Sequence, residues 1–180
     1  MIGNSIAGFL GTGVAVAASS YESISTVTVG VGGSANVTFS SIPSTYTHLQ
    51  VRFSTIKSNA VNMDMIFNGD SSNAYSIHVL DGNGSAVSAV GYQANNTRTY
   101  VGYTSVTTYP NVGIIDVLDY TSSKIKVMRC FAGADGNGSG GVTLQSGMWN
   151  NTAAITSLRL AAAAGTLNQY STFALYGIKG

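Results

Sequence analysis

From Tyr21 onward, hydrophobic and polar residues alternate in short runs, and Gly, Asn, Asp and Ser clusters separate one run from the next. In 21–29, Ile24, Thr26 and Thr28 alternate with Ser25, Val27 and Val29, and β-branched residues dominate, as a half-buried pleated surface favours. In 48–53, Leu49, Val51 and Phe53 share one face while His48, Gln50 and Arg52 share the other, because successive strand side chains point to opposite sides. The same pattern predicts strands at 36–39, 63–67, 75–80, 87–92, 99–103, 112–118, 124–131, 142–149, 155–160 and 173–178. Their spacing is that of an antiparallel sandwich or barrel. Two sheets packed face to face would place Leu49, Val51, Phe53, Ile115, Val117 and Phe173 inside. Ala161 to Ala164 is the best helical stretch, and Gly165 stops it after one turn, too short to form alone.

The first twenty residues break this pattern. Ile6 to Ala18 is a weakly apolar, Gly- and Ala-rich run, and Ala15-Val16-Ala17 imitates a secretory cleavage site. No Lys or Arg precedes Arg52, so the basic start of such a signal is missing, and the run is too short and Gly-rich to span a bilayer. Residues 1–20 are therefore expected to form a docking arm ahead of a β-sandwich domain over 21–180. The arm's apolar side chains, Ile2, Ile6, Phe9, Leu10, Val14 and Val16, would need a neighbouring surface to cover them.

Composition narrows the function classes. Of 180 residues, 44% are hydrophobic and only 8% are charged, far below the roughly 25% usual for soluble domains. Eight Lys plus Arg against seven Asp plus Glu leave a net charge of +1, with the basic residues scattered from Arg52 to Lys179. That distribution offers no footprint for nucleic acid. Near-neutrality gives little colloidal repulsion, which suits a chain packed against copies of itself or a large partner. The lone Cys130 sits in the apolar run 127–131 and is expected to be a buried thiol.

The search for chemistry returns few groups. Asp81-Gly82-Asn83-Gly84-Ser85 recurs as Asp135-Gly136-Asn137-Gly138-Ser139. A calcium loop would want Gly at its sixth position and Glu at its twelfth, but the first copy has Ala86 and Tyr92 there and the second has Gly140 and Ser146. Hairpin turns explain both copies better, since Gly and Asn tolerate positive φ. Glu22 is the only glutamate, and Asp116 and Asp119, three apart, are expected on opposite faces of one strand, which leaves no carboxyl pair for glycoside hydrolysis. His48 and His78 read as solvent-facing strand residues rather than triad members. The expectation is a protein without enzymatic activity, metal or cofactor. The ten tyrosines, with Tyr92, Tyr100, Tyr103 and Tyr109 concentrated mid-chain, serve interfaces and sugar recognition equally well, or simply reflect strand composition.

The segment Val37-Thr38-Phe39-Ser40-Ser41-Ile42-Pro43-Ser44-Thr45-Tyr46-Thr47-His48-Leu49-Gln50-Val51-Arg52 resembles a stretch that recurs in virion proteins of tailed bacteriophages, including capsid decoration and tail-appendage proteins. Phe67-Asn68-Gly69-Asp70, the run from Ile114 to Tyr120, Gly147-Met148-Trp149 through Ile155, and the ending from Tyr170 to Ile178 agree with it in order. The resemblance implies an all-β, antiparallel jelly-roll-like β-sandwich on the particle exterior, often a homotrimer, and it brings no catalytic residues with it. Two functions follow as expectations. In one, the chain is a decoration or attachment component that contacts other virion proteins through its arm. In the other, it is a tail fibre or tail-tip module whose tyrosine-bearing loops hold host surface glycans. A third, a secreted lectin or adhesin, lacks its signal peptide.

Overall fold

The computed structural model describes residues 19–104 and 108–180, with only the backbone of residues 92–94. Within them the alternating runs become twelve strands. These are β1 (Tyr21–Thr28), β2 (Asn36–Phe39), β3 (His48–Thr55), β4 (Met63–Phe67), β5 (Tyr75–Gly82) and β6 (Val87–Asn96), followed by β7 (Thr99–Val101), β8 (Asn111–Val117), β9 (Lys126–Asp135), β10 (Gly140–Trp149), β11 (Leu158–Ala162) and β12 (Thr172–Ile178). Eight of them form one sheet in the order β1-β12-β3-β8-β9-β10-β5-β6, and four form a second in the order β2-β11-β4-β7. Every pairing between them is antiparallel. The chain is thus an all-β, two-sheet antiparallel sandwich, and its layout is compatible with a jelly-roll.

Period-two alternation fills the space between the sheets. Leu49 pairs with Val117, Val51 with Ile115 and Phe53 with Phe173, and all six are buried. The smaller sheet answers with Val37, Phe39, Met63, Met65, Phe67, Leu158 and Leu160. Cys130 lies in this core as a free thiol, and burial pushes its pKa up to about 12, so it behaves as a small hydrophobe.

One end of the sandwich is closed by side-chain bonds between loops. The rings of Phe67, Tyr75 and Trp149 pack together, with centroid separations of 5.7–6.4 Å. The Tyr75 hydroxyl accepts from Phe67 N and donates to the Asp70 carbonyl, both at 3.0 Å, while Trp149 Nε1 donates to Asp70 Oδ2 at 2.7 Å. Asn68, with φ 52°, donates to the Ala154 carbonyl and accepts from the N–H groups of Thr156 and Ser157. Tyr120 donates to the Pro43 carbonyl, and Tyr46 packs over Gly177 and donates to Glu22. The loops around Pro43, Asn68, Tyr120 and Ala154 meet here.

Two expectations shift. β11 starts at Leu158 rather than 155, because Ile155 gives its N–H to Tyr120 O and its side chain to the core from a loop. β8 ends at Val117, and Asp119 adopts φ 49° beyond it, so Asp116 and Asp119 do not share a strand. They are held apart by different partners: Asp116 meets Arg129 at 3.0 Å, whereas Asp119 meets Lys124 at 2.9 Å.

Candidate interaction surface

The larger sheet turns one face to the core and the other away from it. On the outward face of β8, β9, β10 and β5, the register aligns Ile114, Phe131, Leu144 and Leu80 in one row. A second row, closer to the β5–β6 and β9–β10 turns, runs through Val112, Gly133, Val142, Gly82 and Val87 on β6. The apolar side chains of the two rows are between 41% and 75% exposed, with Phe131 at 60%. Single exposed apolar residues are ordinary, whereas a contiguous patch of this kind is a candidate contact site. The patch crosses five strands, about 19 Å at the ~4.8 Å strand spacing.

A polar row borders it. Arg52 Nε donates to Gln50 Oε1 at 2.8 Å, Gln50 Nε2 donates to Asp116 Oδ1 at 2.8 Å, and Asp116 Oδ2 receives Arg129 Nε at 3.0 Å. The Arg52 guanidinium also lies over the rings of Tyr21 and Tyr176, 5.6 and 5.1 Å from their centroids. Each charge of the row already has a partner within the chain.

Relief on this face follows from side-chain size. A groove of about 440 Å³ runs past Val112, Ile114, Gly133 and Val142 beside Phe131. A second, of about 730 Å³, is lined by Val127, Leu144, Leu80 and Ala89 together with His78 and Ser146. Phe131 and Leu144 form the ridge next to them.

The residues singled out from sequence are distributed as follows. Ile2, Ile6, Phe9, Leu10, Val14 and Val16 lie outside the described residues, as does the side chain of Tyr92. Tyr100 stands on the outward side of the smaller sheet, opposite Asp64, whose carboxylate pairs with Arg98 at 2.6 Å. Tyr103 follows β7, with its hydroxyl 3.4 Å from the Gly140 carbonyl, and Tyr109 reaches the neighbourhood of Gly136. The structure therefore brings Tyr103 and Tyr109 to the end that carries the two repeated turns, and places Tyr100 on another face. In those turns Asn83 Oδ1 accepts from Ser85 N and Ala86 N, and Asp135 Oδ1 accepts from Asn137 N, so both side chains cap their own backbone.

Other groups with chemical potential are engaged structurally. His48 Nδ1 accepts the Asp119 N–H at 3.0 Å and lies 3.5 Å from Asp119 Oδ1. Glu22 bonds to Lys179 and Tyr46, and both hold its pKa below the ordinary carboxylate value. Hydrogen bonds from Ser72 and Trp149 do the same for Asp70.

Two buried lysines escape a sequence reading altogether. Lys57 donates to the carbonyls of Val61 and Tyr103, and burial lowers its pKa to about 8. Lys126 faces inward from β9 and donates to the carbonyls of Ser122, Lys124 and Thr152 at 2.6, 2.6 and 3.2 Å.

Comparison of the chain with family models, with curated proteins and with solved structures returns no match. Fold and surface define the class at the level of an antiparallel β-sandwich with one apolar outward sheet face.

Proposed function

We infer that the chain is a non-enzymatic structural protein of a tailed-bacteriophage particle, a capsid decoration or attachment component on the exterior. It assembles with copies of itself, has a jelly-roll-like layout, and docks its arm on other virion proteins. The observation that carries this reading is the outward apolar face of the larger sheet, which water disfavours leaving bare and which assembly would cover. The low charge of the chain and the resemblance of its loop motifs to phage virion proteins point the same way. The test is mass spectrometry and antibody labelling of intact particles of the phage that encodes the chain. The chain should be present on their outside, and deletion of residues 2–18 should abolish its incorporation. Its absence from purified particles would sink the proposal.

The receptor-binding reading keeps one supporting observation. A groove of about 530 Å³ at the repeated turns is lined by Asn83, Asp135 and Ser139, with Tyr109 close to Gly136. A host glycan bound there would lose affinity on Tyr109→Ala, measurable by calorimetry with purified surface polysaccharide.

A further inference from the structure

Resting on the assembly role proposed above, the outward face of the larger sheet can be given a partner. We propose that a second copy of this chain covers it, like face against like face, with the Phe131–Leu144 ridge of each copy seated in a groove of the other. Three features favour a copy of itself. The first is shape: ridge and grooves lie on the same surface, which is what a self-complementary contact between identical subunits requires. The Phe131 ring, 60% exposed, stands as a knob next to Gly133, which offers no side chain two residues along the same strand face.

The second is area. The exposed apolar side chains of the two rows present on the order of 700 Å², close to the ~800 Å² that each partner contributes to a standard-size stable interface. Sheets pack face to face about 10 Å apart, so facing side chains interdigitate as in the interior of the sandwich.

The third is charge. The two apolar rows carry no ionisable or hydrogen-bonding side chain, and the bordering Arg52, Asp116 and Arg129 are satisfied within their own copy. A copy of the same face therefore meets no like-charge clash. A glycan or a nucleic acid would find no donor or acceptor on these rows.

The experiment is sedimentation equilibrium of the full chain, alongside Phe131→Glu and Leu144→Lys, with circular dichroism and melting cooperativity recorded for each. The wild type is expected to be a homo-oligomer, and both variants to be folded monomers, since each replaced side chain is solvent-facing in the single chain. If a charged variant loses its fold, Phe131→Ser serves in its place and should weaken self-association at least tenfold. A wild type that stays monomeric through the micromolar range, or an oligomer that the folded variants leave intact, overturns the inference. So does an oligomer dissociated by removing residues 1–18 but not by the face variants. Solution self-association is read without any particle, so failure here leaves incorporation into a virion standing. Conversely, a face-mediated oligomer absent from particles defeats the proposed function alone.

Discussion

Lys126 stands inside a sandwich that has few charges, and three carbonyl oxygens take the place of water around its ammonium group. Those carbonyls belong to the 122–124 and 152 loops, so one side chain ties the closed end of the fold together. Lys126→Met keeps the apolar stem and removes the donors. It should cost roughly 2 kcal/mol, because hydrogen bonds from a charged donor are lost, seen as a lower urea midpoint with unchanged slope. Lys57 makes a prediction about pH. Its folded pKa of about 8 lies below the ordinary 10.5, so between these values the unfolded chain binds more protons than the folded one. Stability from this group is therefore present above 10.5 and lost as pH falls through 8. The neutral amine keeps two N–H donors, enough for the Val61 and Tyr103 carbonyls. The stability of wild type minus that of Lys57→Met should accordingly shift in favour of wild type by about 1–3 kcal/mol between pH 7 and pH 10, measured by urea unfolding. A difference that stays flat or moves the other way would contradict the burial argument. Neither lysine was legible in the sequence, since lysine ordinarily stays in water and each cage joins near carbonyls, of Val61 or of Ser122 and Lys124, to one from a separate segment, Tyr103 or Thr152.

At the level of strands, alternation carried most of the information. Each of the twelve expected runs contains a strand, and the six residues expected inside are buried. Strand order was not legible, because a period of two says which side chains share a face and nothing about which strand lies alongside. The pairing of β12 between β1 and β3, for example, joins residues more than a hundred positions apart. Glycines on β12 and β10 mark where order and packing are fixed. A Cβ at Gly177 would run into the Tyr46 ring, so Gly177→Ala should cost about 1–3 kcal/mol as an overpacking change, with the loss reduced in a Gly177→Ala/Tyr46→Ala double variant. Gly140 has φ 126° and its missing Cβ faces the Ala134 carbonyl. Both the backbone and the space of the β9–β10 turn therefore exclude a side chain there. At this scale Asn68, Asp70, Trp149, Tyr120 and Pro43 act as loop-to-loop fasteners. What they preserve is the closed end, and the outward face lies elsewhere.

For the whole molecule, the missed feature was the second apolar face. A strand such as β8, with Val112 and Ile114 on one side and Ile115 and Val117 on the other, is apolar both ways, and a strand apolar on both sides reads as covered on both sides. That signal was present in the sequence, but alternation directs attention to one face at a time. Among the described residues, each strand from Tyr21 to Ile178 pairs with at least one other. Removing 1–18 should therefore leave a single cooperative melt, followed by calorimetry; loss of folding would instead make the arm part of the core. The two ends of the sandwich also meet, as Lys179 N donates to Ser20 O at 3.0 Å where β1 lies along β12. Joining those positions by a few glycines and reopening the chain at Gly32, in an exposed turn with φ 89° between two strands that do not pair with each other, should give a circularly permuted protein with the same sheets. In that permutant β12 and β1 become a local hairpin, and because local pairing closes at lower entropic cost than distant pairing, it should refold faster than the natural order of strands.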